Sequence, residues 1–108
     1  MSSESDTQPL AHCVYFTLNE NTNEARQGLI SACNEFLTDH PGTLFFGVGP
    51  RADSYQRLVN DQSFDVALVL VFATKADHDR YQVSDRHQQF LASQKDTWAN
   101  VRVFDAFG

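Results

Sequence analysis

A chain of 108 residues, 42% apolar and 20% charged, has the size and make-up of one ordinary globular domain, long enough to bury a core without disulfide or metal staples. Fourteen acids against eight bases give a formal charge of -6, which repels phosphate backbones and anionic bilayers and argues against nucleic acid or a membrane surface as a partner. No apolar run approaches the ~20 residues of a membrane-spanning helix, and residues 1–9 lack the basic and apolar regions of a secretory signal.

Residues 1–9 therefore read as a flexible polar tail ahead of a single domain over 10–108, and the expected setting is cytoplasmic. The two cysteines, Cys13 and Cys33, have no CxxC spacing; in a reducing compartment they are expected to be buried thiols that pack as small hydrophobes.

Residues 11–18 alternate as a strand does, with His12, Val14, Phe16 and Leu18 on one face and Ala11, Cys13, Tyr15 and Thr17 on the other. Both faces are apolar enough to need cover. Asn21, followed three residues on by Glu24, has the spacing of a capping box and opens a helix. Its apolar stripe runs through Ala25, Leu29, Ala32, Cys33, Phe36 and Leu37. His40-Pro41-Gly42 stops it, because proline disfavours helical geometry at the residue before it and glycine permits the turn.

A second strand follows over 43–49, with Leu44, Phe46 and Val48 on one face and Phe45 on the other. Residues 51–63 form a polar connection of a length that suits a lid or a short helix. Arg51, Tyr55 and Arg57 within it offer a clamp for an acidic ligand, set against a plain solvated loop. The strongest strand spans 64–73, with Phe64, Val66, Leu68, Leu70 and Phe72 on one face and Ala67, Val69, Val71 and Ala73 on the other. Apolar on both sides, it belongs at the centre of a sheet. Thr74 or Asp77 caps the helix that carries Tyr81. A further helical stretch, 85–94, brings His87, Phe90 and Leu91 together at helical spacing. The last strand, 101–107, puts Val101, Val103, Asp105 and Phe107 on one side and Phe104 on the other, and Trp98 is expected to pack the corner before it.

The order β-α-β-β-α-β predicts an α+β, ferredoxin-like fold, a four-stranded antiparallel sheet with helices on one face. The other face, with Phe45, Val69, Val71 and Phe104, carries too much apolar surface to leave in water. A two-fold partner presenting the same sheet face covers it most economically, which predicts a homodimer, a dimeric α/β barrel.

The candidate chemistry centres on Tyr81 and His87, together with His12 on the first strand. In a pocket between sheet and helices, a neutral imidazole takes a proton while the phenol donates to a developing oxyanion. The competing reading has His87 fixing a helix start or bonding Tyr81, and His12 as a satisfied core polar group. His78, between Asp77 and Asp79 without metal-ligand spacing such as HExxH, is expected to face solvent. Nothing in the residues asks for a cofactor or a metal.

Four segments resemble the stress-responsive A/B barrel (Dabb) family: the opening Ala11-His12-Cys13-Val14-Tyr15-Phe16, the strand over 64–72, Tyr81 followed by His87, and the closing Val101-Arg102-Val103-Phe104-Asp105. The resemblance implies a dimeric α+β barrel and only loosely an activity. One plant member is a polyketide cyclase acting by aldol condensation, and its Tyr and His have the spacing of Tyr81 and His87, with a first-strand His where His12 stands. This chain departs in having Ser84-Asp85 where the family has His-Pro, and Val66 where that cyclase has a further His.

The expected function is a small apolar ligand held near Tyr81 and His87, with acid–base chemistry of the cyclase or isomerase kind. The alternative is a non-enzymatic, stable stress-related homodimer or ligand carrier. A cofactor-free monooxygenase ranks third, on fold analogy alone.

Overall fold

The computed structural model describes residues 8–108; the expected tail lies largely outside the described residues. The elements are β1 (Leu10–Leu18), α1 (Asn23–Phe36), β2 (Thr43–Pro50), β3 (Val66–Phe72), α2 (Lys75–Val83), α3 (Asp85–Gln94), a 3-10 turn (Lys95–Thr97) and β4 (Trp98–Phe107). The sheet order is β2-β3-β1-β4 with every neighbouring pair antiparallel. This is the ferredoxin-like arrangement the patterning predicts.

Period-two alternation does most of the folding. Along β1 and β3 alternate residues are buried, and those side chains meet the helices to form one core with Leu29, Cys33, Leu37, Tyr81 and Phe90. The two central strands are apolar on both faces; the helices cover one, and the other is the open sheet face. No helix among the described residues is long and apolar enough to cross a membrane.

Helix α1 starts one residue later than the capping-box spacing suggests. Thr22 is the cap, its Oγ1 accepting from the Ala25 N–H at 3.1 Å, while Asn21 accepts from the Arg26 guanidinium. At its other end α1 carries no basic residue in the last turn. Arg86 of α3 supplies the charge instead, donating to the Thr38 and Glu35 carbonyls at 2.6 Å each. A cation on orphaned helix-end carbonyls is favourable, so this contact ties the two helices together.

The chain then reverses through Asp39 and Gly42, at φ of 62° and 83°. Gly42 is required there: its carbonyl accepts from the Ala73 N–H at 2.8 Å, and a Cβ would run into the Asp77 carboxyl. Gly42→Ala is expected to cost at least ~2 kcal/mol, from left-handed backbone strain plus overpacking. Thermal or urea unfolding measures it, and an unchanged midpoint would show that the close approach does not exist.

Three local expectations are corrected. Leu44 does not share a face with Phe46 and Val48: the pairing with β3 slips between Thr43 and Phe45, leaving Leu44 in a bulge and 62% exposed. An extra residue in one strand turns its side chain off the alternation. Phe64 likewise leaves the core face and packs edge-on against Tyr15, ring centres 5.1 Å apart. Asp65 is buried in its place, accepting the Leu18 N–H at 2.8 Å, and the regular strand begins at Val66. Residues 51–65 form no helix. Arg51 and Arg57 hold that loop together from within, Arg51 donating to the Gln62 and Phe64 carbonyls and Arg57 to Asn60. Neither guanidinium is a free clamp for an acidic ligand.

The helices pack on one face only. On the other, Cys13, Tyr15, Val69 and Val71 are half-buried, and Phe45 and Phe104 each remain 54% exposed. Cys33 is buried as expected, whereas Cys13 lies on this open face.

Candidate functional site

A cavity of about 360 Å³ opens between the helix-facing side of β1 and β4 and the two helices of the second crossover. Its volume is in the range of small-molecule pockets. Apolar side chains such as Val14, Phe16, Leu68 and Phe90 make up most of the wall, and the three sequence candidates His12, Tyr81 and His87 all line it. The Tyr81 ring stands edge-on to the other two, its centre 6.0 Å from that of His12 and 4.9 Å from that of His87.

His12 arrives by strand alternation, on the inward face between Leu10 and Val14. Antiparallel register then places Asp105 of β4 directly opposite it. The His12 Nδ1–H donates to Asp105 Oδ1 at 2.6 Å, a short charge-assisted bond. A carboxylate cannot donate, so this contact fixes the tautomer of neutral His12 and leaves Nε2 with its lone pair. The Gln82 amide lies 3.3 Å from that Nε2. His12 is buried, while the Asp105 side chain is 43% exposed at the cavity mouth.

Tyr81 and His87 are held by a shared residue. Ser84 ends α2 and begins α3: its Oγ donates to the Tyr81 carbonyl at 2.9 Å and accepts from the His87 N–H at 3.2 Å. Where the resembled family has His-Pro, this chain makes its helix-to-helix junction with a serine cap. Tyr81 is buried, its ring packed on Phe72 and edge-on to His40 and His87 at 4.9 Å. Among the described residues the buried His87 Nδ1 has no hydrogen-bond partner.

Three residues outside the sequence candidates, His78, Gln82 and Asp105, also belong here. His78 does not face solvent: its side chain is 13% exposed, and its Nε2 sits 3.3 Å from His12 Nδ1. One turn on, Gln82 bridges both imidazoles, 3.4 Å from His78 Nε2. The signal was present, since positions 78, 81 and 82 share one face of α2. Asp105 was also visible as a lone carboxylate on an otherwise apolar strand face. Among the described residues His12, His78 and Asp105 form a cluster whose donor atoms lie within 4.8 Å of one another, a spacing able to hold a metal ion.

Burial sets the electrostatics. It lowers the proton affinity of His12, with the Asp105 hydrogen bond and charge acting in the opposite direction. It pushes the Tyr81 phenol well above its ordinary range, so Tyr81 is a neutral donor. It holds His87 down to about 4, helped by the positive charge that His12, His40 or His78 would carry if protonated.

The fold thus favours neutral His87. The associated stability is fully present above pH 6.5 and is lost progressively as pH falls toward 4, where the folded state too must take up the proton. The drop in melting temperature between pH 7 and pH 4 is therefore expected to be smaller in His87→Gln than in the parent. Equal drops in both would remove His87 as a source of acid lability.

No curated protein sequence matches the chain. Many solved structures share its fold. A dimeric ferredoxin-like protein of unknown function from Thermobifida fusca superposes with TM-score 0.78 at 17% identity, over 94% of this chain and 92% of that one. A Dabb family protein with a ferredoxin-like fold from Mesorhizobium loti gives 0.76 at 17% identity, over 92% and 95%. A hydroxynitrile lyase from Passiflora edulis gives 0.75 at 14% identity, over 94% of each chain. At such identities the likeness carries the fold and not the chemistry. The model of the Stress Responsive A/B Barrel Domain matches residues 10–107, nearly the whole sequence and every element described above, and the chain belongs to that family.

Proposed function

We propose that the protein binds a small apolar carbonyl compound in the cavity and moves a proton at the carbon next to that carbonyl. The observation that carries this reading is the His12–Asp105 pair, 2.6 Å apart, set in the wall of an apolar cavity beside a buried, neutral phenol. His12 Nε2 is the base. It displaces its contact with Gln82 and takes the proton from carbon, while Asp105 stabilises the imidazolium that forms. The Tyr81 hydroxyl donates to the oxygen on which the enolate charge develops. Returning the proton to another carbon gives isomerisation; attack of the enolate on a second carbonyl of the same molecule gives cyclisation.

His87 has a different role in this reading. Held neutral near pH 7, and sharing Ser84 with Tyr81, it positions the phenol and completes the wall. A hydroxynitrile lyase shares the fold, so this architecture is able to host an active site, although the fold does not fix the chemistry. A homodimer closed through the open sheet face is part of the proposal, supported by the exposed Phe45 and Phe104 and by neighbours described as dimeric. So is a reducing, cytoplasmic setting, which suits the free thiols of Cys13 and Cys33.

The test is exchange of α-protons. A panel of apolar ketones and 1,3-diketones is incubated with the protein in D₂O with a chelator present, and deuterium incorporation is followed by NMR. Catalysed exchange that falls in His12→Gln and Tyr81→Phe is expected. Binding of the same compounds without any catalysed exchange would leave the ligand-carrier reading in its place.

A further inference from the structure

We propose that His12, His78 and Asp105 bind a divalent transition-metal ion at the mouth of the cavity. Two imidazole nitrogens and one carboxylate oxygen converge there with donor atoms within 4.8 Å of one another. Two imidazoles with a carboxylate suit Zn²⁺, Co²⁺, Ni²⁺ or Cu²⁺ rather than Mg²⁺ or Ca²⁺, which prefer all-oxygen sites.

One of the three spacings already fits, and the exposed carboxylate supplies the adjustment the others need. Donor atoms ~2.0–2.1 Å from a tetrahedral ion lie about 3.3 Å from each other. His78 Nε2 and His12 Nδ1 are already 3.3 Å apart. Asp105 Oδ1 sits closer to His12 Nδ1, at 2.6 Å, because a proton now lies between them. Moving it outward is easy, for Asp105 is on the edge strand with its side chain 43% exposed.

The surroundings fit as well. The outer nitrogen of a ligating histidine is normally backed by a carboxylate or a carbonyl. His78 Nδ1 has Asp79 Oδ1 behind it at 3.4 Å, which turns the lone pair of Nε2 toward the cluster. When Nδ1 of His12 ligates, its ring proton moves to Nε2. Gln82, 3.3 Å from that nitrogen, then accepts through its amide oxygen after a half-turn of the amide. Neutral imidazole thus enters the site without net loss of a proton. Three protein donors leave at least one position open to the cavity, and a carbonyl ligand bound there would be polarised.

The site rests on geometry and not on the proton-transfer reading. With Nδ1 on a metal and the proton on Nε2, His12 is no longer the base, so the metal-bound and proton-transferring states are distinct, and binding is measured without substrate. Tag-free full-length protein, freed of metal with a chelator and then of the chelator, is titrated with Zn²⁺ by calorimetry and with Co²⁺ by visible absorption. One ion per subunit is expected, with a Co²⁺ ligand-field spectrum of low-coordinate N/O geometry. His78→Ala and Asp105→Asn, checked as folded by circular dichroism, should each weaken binding by at least ~10-fold and bleach that spectrum, since even residues behind a ligand change affinity ~10–100-fold. Absence of saturable binding overturns the proposal. So does binding whose affinity is the same in both variants, which would be the cation attraction of an acidic surface. Because α-proton exchange is assayed in chelator, a failed titration and a failed exchange assay are separate results.

Discussion

Asp105→Asn is expected to lower the rate of α-proton exchange by ~10²–10⁴-fold, the range that a general acid–base group contributes. Asparagine keeps nearly the same volume but loses the charge. The imidazolium that forms on His12 is then no longer stabilised across the 2.6 Å contact, and the tautomer that exposes Nε2 is no longer enforced. Asp105 acts through His12 and not on the substrate, so kcat should carry the loss and KM should change little. The melting temperature should move only slightly, because the Asp105 side chain is 43% exposed and contributes no core packing. Two residues acting as a unit are strongly non-additive: once His12→Gln is present, adding Asp105→Asn should cost almost nothing further. A double variant that loses the product of the two single effects would show that Asp105 works independently of His12, and the proposed pair would fall.

The second large effect concerns assembly. Phe45→Asp combined with Phe104→Asp is expected to raise the dissociation constant of the proposed homodimer by at least ~10³-fold, giving monomer at micromolar concentration by light scattering. Each ring is 54% exposed in the single chain, and both lie on the face opposite the helices. A two-fold interface uses the same patch twice, so two substitutions place four carboxylates in one apolar contact. Each unpaired buried charge costs several kcal/mol, well above the 4.1 kcal/mol or so that ~10³-fold requires. Because these side chains lie outside the helix-side core, the monomer should retain its circular dichroism. A parent protein that is already monomeric at this concentration would remove the sheet-face partner altogether.

Much of the architecture was legible because its signals are local. Alternation in β1 and β3 needs only the two-residue period of a strand, and the buried residues Val14, Phe16, Leu68 and Phe72 are those the pattern marked. The helix over Asp85–Gln94 came out at its expected bounds. The misses lie where a single residue breaks the period. Leu44 is bulged out and Phe64 swings to Tyr15, and neither choice is visible before the neighbouring strand is in place. The cap of α1 moved from Asn21 to Thr22 because two adjacent polar residues compete for one role, and the Arg26 contact decides between them.

Residue types and their periods were sufficient to determine the βαββαβ order and the inward placement of His12, since each depends on neighbours a few positions apart. Only the tertiary structure decided which groups meet. Asp105 reaches His12 through the pairing of β1 with β4, ninety-three positions apart in the chain, and His78 reaches it because α2 lies across the sheet at one angle. Contact between distant segments is set by strand register and helix packing, which sum over the whole core. Spacing along the chain therefore passed over His78 and Asp105, although the folded protein puts both at the centre of its polar cluster.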